Sequence, residues 1–138
     1  PGLVNIFRFT HGATGSGPAC RVIGAGVDNG ELPAAISACA QAGRCEQCVE
    51  ALEMFLEAYG AEAGNLALRS LATAGVYIGG GIAPKLLPAL ENGLFLDAFR
   101  GKAPLVDLLR TLPVSVILNP AAGLLGAAVR AAGLQPPH

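Results

Sequence analysis

The stretch GVYIGGGIAPKLL, residues 75–87, decides how this chain is read. A short apolar run ends in three glycines, Gly79, Gly80 and Gly81, and a helix-like pattern follows. Pro84 suits a first helical turn, which residues 85–91 continue. Glycine lets a neighbour approach the backbone closely, and the start of a helix presents unpaired N–H groups. The stretch is not a Walker A loop, because no G-K-[ST] follows, and it is not G-x-G-x-x-G. Periodicity leaves two readings open: a tight strand-to-helix turn, or a ligand lying against bare backbone.

Helical patterns lie on both sides of this stretch. Before it, residues 45–74 form the longest one. Val49, Leu52, Phe55, Leu56, Tyr59, Ala63, Leu66, Ala67 and Leu71 recur at spacings of three and four, with Glu46, Glu50, Glu53 and Glu57 on the opposite, wet face. Gly60 and Gly64 interrupt the run; they break the helix or admit another backbone. Upstream, residues 31–41 are Ala-rich and read as a helix ending near Gly43, and PGLVNIFRF opens with a turn into a short helix. Residues 11–30 hold six glycines and read as loop, with one short extended piece at 20–23.

After the glycines, NGLFLDAFRGK carries a short apolar helix, residues 104–112 a helix that Pro113 stops, VSVILN a strand and AGLLGAAVRAAG the last helix. GVYIGG reads as a buried strand. Two strands joined through helices imply a right-handed crossover and a parallel pair. Two strands are too few for a stable sheet, so they are expected to belong to a larger one.

Of the 138 residues, 52% are hydrophobic and 14% charged, against about 25% charged in an average domain. The excess of apolar residues implies that part of the surface faces a partner, another subunit or more of the same polypeptide. The chain starts at Pro1 without a charged n-region and apolar h-region, and a clipped product is expected. Ten acidic and nine basic residues nearly cancel, which argues against nucleic acid and against an anionic membrane surface. Residues 111–129 carry no charge, but Asn119-Pro120 in the middle makes them strand, turn and helix rather than a membrane span.

Few residues carry evident chemistry. Gly24-x-Gly26 imitates a dinucleotide fingerprint, but Gly30 falls one residue late and a loop is the reading. Cys45-x-x-Cys48 lacks a second pair, His11 and Cys20 have no recognised ligand spacing, and a structural zinc site needs four ligands. Glu46 and Glu50 oppose thiolate formation, so the cysteines are read as structural, with a metal site as the lesser alternative, and no metal ligand is assigned. Four cysteines are too few for a disulfide scaffold, which makes a reducing cytosol the default compartment. His11, placed in a loop, and His138, in the tail, have no Ser or Asp partner for a hydrolase triad.

PGLVNIFRF, GNLAL, GVYIGGGIAPKLL and GLLGAA, in this order, resemble the C-terminal half of the bacterial-type glucokinases, within the sugar kinase–actin–heat-shock ATPase superfamily. The resemblance implies an α/β fold: the C-terminal part of a ribonuclease H-like, actin-like ATPase domain, mostly helices with two parallel strands. Residues 1–138 are then a single large-lobe portion, with the N-terminal lobe and phosphate loops outside it.

The resemblance also implies roles. Gly79, Gly80, Gly81 and Ile82 match the adenosine motif and would bind the ATP cofactor, with Mg2+ in the intact enzyme. Gly123 to Ala128 match a connecting helix near the hinge, and Gly2 to Asn5 a segment beside the nucleotide cleft. No catalytic residue falls within the chain, and glucose is held by the upstream lobe. The implied partners are ATP, glucose and a second copy in a homodimer, in the cytoplasm, without nucleic acid or membrane. The 138 residues alone are expected to be inactive. The alternatives are a kinase for another sugar or a polyphosphate donor, and a non-catalytic nucleotide-binding or regulatory domain of the same fold.

Overall fold

A computed structural model describes residues 2–13, 20, 23, 27–28 and 30–133. Helix α1 (Gly2–Ala13) is followed by α2 (Leu32–Gln41) and by the long α3 (Glu46–Ser70). Strand β1 (Val76–Ile78) leads through a 3₁₀ turn (Ala83–Leu86) into α4 (Leu87–Leu90), α5 (Leu94–Arg100) and α6 (Val106–Thr111). Strand β2 (Val114–Val116) and α7 (Ala122–Ala132) complete the described residues. The strands pair in parallel with Val76 opposite Val114 and Ile78 opposite Val116, as their helical connection requires. The expected extended piece at 20–23, the Gly24/Gly26 motif and the tail with His138 lie outside the described residues, apart from Cys20 and Ile23.

Helix α3 is the spine. Its 25 residues pack against α1, α2, α5 and α6. The core between them includes Ile36, Leu56, Phe99 and Leu109, all fully buried. Glu46, Glu50, Glu53 and Glu57 face outward, as the period of 3.6 demands. Leu66 and Leu71, expected on the core stripe, are instead 50% and 71% exposed. The stripe of α3 narrows to Ala63, Gly64 and Ala67 at this end, because α5 comes too close for larger residues.

Gly60 and Gly64 do not break the helix. A Cβ at Gly60 would lie 3.0 and 3.1 Å from the carbonyl carbon and Cα of Phe95, with the carbonyl oxygen nearer still. At Gly64 it would meet the Phe99 carbonyl group. Two glycines four residues apart on α3 thus receive the backbone of two residues four apart on α5. Tyr59 meets Phe95 edge to face at 5.5 Å on the same seam.

The end of α3 comes earlier than the pattern to residue 74 implied. Ala72 N–H bonds the Ala67 carbonyl at 3.0 Å and Leu71 N–H bonds that of Leu68 at 3.3 Å, which is a Schellman closure. Leu71 occupies its left-handed position at φ 48°, where a side chain costs about 1 kcal/mol. Leu71→Gly is therefore expected to stabilise the protein by about 1 kcal/mol in denaturant unfolding. An unchanged midpoint would mean that the leucine side chain offsets its backbone strain through other contacts.

GVYIGG is less buried than expected. Ile78 is 6% exposed, but Tyr77 is 68% exposed, because the two-stranded sheet is covered on one side only. Helix α7 has no buried residue, and Leu124, Leu125 and Val129 are all at least 60% exposed. Part of the apolar excess of the composition is thus concentrated on this helix. Among the described residues no helix is long and apolar enough to cross a membrane.

Candidate functional site

The turn after β1 shows what its glycines are for. Gly80 sits at φ +103°, a conformation that side chains rarely adopt. Gly79 and Gly81 have no such constraint. A Cβ at Gly79 would make an ordinary contact with Ile117 at 3.5 Å, and one at Gly81 would meet nothing within 4 Å. Of these three glycines, folding requires only Gly80 to lack a side chain. The bare backbone at Gly81 faces open space.

That space is a groove of about 540 Å³. Gly81 and Ile82 line one side, Gly2 and Leu3 at the start of α1 and Phe55 of α3 line another, and Ser37 of α2 closes it. The volume falls in the range of small-ligand pockets, about 300–1,000 Å³. Its walls are mainly apolar, with few polar groups. Ser37 already donates its hydroxyl proton to the Pro33 carbonyl at 2.8 Å. Lys85 and Gln41 stand at the groove with exposed side chains. Leu3 and Leu86, which also line it, are buried. Such a groove suits a flat apolar face with polar edges.

The residues singled out in the sequence divide between this groove and elsewhere. Gly81 and Ile82 line it; Gly79 and Gly80 shape the turn without lining it. Gly2 joins Gly81 and Ile82 across the groove although 79 positions separate Gly2 from Gly81 in the numbering. Gly123 to Ala128 lie in α7 and take no part in it. Asn65 is exposed and donates to Glu62 at 3.1 Å, far from any site role. Spacing along the chain pointed to the glycines but not to Phe55 or Ser37. Phe55 reads as a core position of its helix, and Ser37 only as part of an Ala-rich helix, until α2 and α3 are packed.

His11 is not in a loop. It lies in the last turn of α1, beside Cys45, the N-cap residue of α3, and Cys48 in the first turn of α3. None of the four cysteines is in a disulfide. Burial, reinforced by hydrogen bonds with Cys45, Cys20 and Cys39, pushes the Cys48 thiol far above its ordinary range. Burial likewise raises Cys39. Neither is a ready nucleophile, and among the described residues no hydrolytic or redox constellation forms at the groove.

Comparison with known proteins gives one consistent result. The family model described as Glucokinase matches residues 1–134. The glucokinase of Synechocystis sp. is 51% identical over 102 residues, 74% of this chain and 29% of the relative. That of Mesorhizobium japonicum is 43% identical over 130 residues, 94% of this chain and 35% of the relative. The crystal structure of a glucokinase from an Antarctic psychrotroph superimposes with a TM-score of 0.77 at 28% identity, covering 96% of this chain and 38% of that one. The chain spans about a third of the length of the curated relatives it matches.

Proposed function

The chain belongs to the glucokinase family, and we propose that it forms the adenosine side of the cleft in an enzyme that transfers a phosphoryl group from ATP to glucose. The observation that carries this reading is the groove beside Gly81. Its backbone is bare where folding does not require it to be, next to a wall supplied by Ile82, Leu3 and Phe55. The apolar walls would hold the adenine face by burial. The missing side chain at Gly81 would let the nucleotide reach the backbone.

In-line phosphoryl transfer asks the protein to position its substrates and to stabilise spread charge, with Mg2+ bridging the phosphates and a carboxylate accepting the sugar hydroxyl proton. None of the described residues lining the groove is an acid or a base placed for that step. On this reading the proton acceptor, the phosphate loops and the groups that grip glucose belong to the rest of the enzyme. Residues 1–138 act as its C-terminal, large-lobe portion. The exposed apolar side of α7 then packs against the remainder of the polypeptide. The same reading carries a homodimer and a cytosolic setting, where ATP and reduced thiols coexist.

The test is glucose-dependent ADP formation by the intact protein, with the 138-residue piece assayed in parallel. Turnover of glucose by the intact protein and none by the piece is the expected pair of results. An intact protein that binds ATP but is silent with glucose, while another hexose is turned over, would reassign the sugar. Silence with every hexose would leave a nucleotide-binding domain without kinase activity.

A further inference from the structure

We infer that His11, Cys20, Cys45 and Cys48 form a structural zinc site, a tetrahedral Cys3His centre that fastens the end of α1 to the start of α3. The four ligand atoms all lie within 4.8 Å of one another. A tetrahedral zinc with Zn–S of about 2.3 Å and Zn–N of about 2.1 Å places two sulfurs about 3.8 Å apart and a sulfur and nitrogen about 3.6 Å apart. Cys48 Sγ lies 3.7 Å from Cys20 Sγ. Cys45 Sγ and Cys48 Sγ lie 3.6 and 3.9 Å from His11 Nε2. These separations already match the edges of the zinc tetrahedron.

The imidazole is held in the tautomer a metal needs. His11 Nδ1 lies 2.8 Å from the Phe7 carbonyl oxygen, which only accepts, so Nδ1 carries the proton. Nε2 then turns its lone pair toward the sulfurs. This is the outer hydrogen bond that metal-bound histidines commonly make. Thr10, 2% exposed, adds a second lock: its hydroxyl lies 3.1 Å from the carbonyl oxygens of both Phe7 and Gln47, bridging α1 to α3 beside the cluster.

The donor set selects the ion. Three soft sulfurs and one imidazole in tetrahedral array suit zinc, and four protein ligands leave no open position, so the role is structural. Binding releases three thiol protons, including the one Cys45 Sγ now points at Gln47 Oε1 from 3.3 Å. The centre then carries one net negative charge. The N-terminus of α3, where Cys45 is the cap, provides a compensating positive field. Glu46 and Glu50 do not oppose this, because both point to solvent. Cys39, fully buried, neighbours Cys48 and Cys20 but is outside the set of four. The other end of α1 supplies Gly2 and Leu3 to the groove. The zinc would therefore set the position of one groove wall.

The experiment uses the intact protein, purified without chelator. Elemental analysis is expected to find about one zinc per chain. After the zinc is stripped, cobalt(II) should saturate at one equivalent, with sulfur-to-cobalt charge transfer and the intense visible bands of a tetrahedral ion. Cys45→Ser and His11→Ala should each lower cobalt affinity by more than about tenfold. Cys39→Ala should keep the spectrum, and His11→Cys should restore binding with stronger charge transfer. Wild-type protein that lacks zinc and takes up no cobalt overturns the site, and this outcome does not depend on any variant folding. Loss of cobalt in Cys39→Ala with retention in His11→Ala overturns the assigned ligand set.

Discussion

Replacing Gly81 by valine is expected to cut kcat/KM for ATP by at least about tenfold in the intact protein, equivalent to about 1.4 kcal/mol, while leaving the thermal midpoint unchanged. The two halves of this expectation have separate causes. A Cβ at Gly81 meets nothing within 4 Å, and its φ is not left-handed, so the fold tolerates the side chain. The isopropyl group instead enters the groove that Gly81 shares with Ile82, Leu3 and Phe55. It takes space assigned to adenosine. The loss should appear as a raised KM for ATP with little change in KM for glucose, measured by varying each substrate in turn. Gly80→Ala provides the contrast. At φ +103° it should lose about 1 kcal/mol of stability whether or not nucleotide binds there. An unaltered KM for ATP in Gly81→Val would place the nucleotide elsewhere.

Gly60→Ala is expected to destabilise the protein by about 2 kcal/mol. Alanine inside a helix normally gains about 1 kcal/mol over glycine. Here the added methyl runs into the Phe95 carbonyl, a backbone group that cannot rotate away. Forcing α5 off α3 costs about 3 kcal/mol by the usual scale of overpacking, and the clash exceeds the propensity gain. Gly64→Ala meets the Phe99 carbonyl in the same way. Gly12→Ala is the control: it lies in α1, and its Cβ would meet nothing within 4 Å. Denaturant unfolding of the three variants should show two losses and one small gain or no change. A stabilised Gly60→Ala would show that α3 and α5 are not in backbone contact at this point.

Much of this was legible from residue order. The spacing of Leu52, Leu56 and Ala63 against Glu46, Glu50, Glu53 and Glu57 marked α3 and its wet face, because helix periodicity acts within a few residues. Pro84 and Pro113 marked a beginning and an end, since proline lacks an N–H. The run of β-branched residues in VSVILN, joined through helices to GVYIGG, pointed to a parallel pair, and the pairing is parallel. The family resemblance rested on motifs of the same local kind. What resisted reading was burial that depends on distant chain. Tyr77 looked interior and is exposed, since one side of its sheet is uncovered. Leu66 sat on the apolar stripe and faces solvent, since α5 approaches at Gly64 instead.

The sequence by itself determined the elements, their order and the place of a glycine turn between a strand and a helix. Each of these follows from backbone preference and side-chain period over a short window. Only the tertiary structure decided that Gly60 and Gly64 mark a close approach and not a break. It alone brought Gly2 to Gly81 across a groove and set His11 and Cys20 beside Cys45 and Cys48. No spacing rule reaches over such separations. They are settled by how α1 and α2 lie on α3, and that depends on packing of whole helix faces.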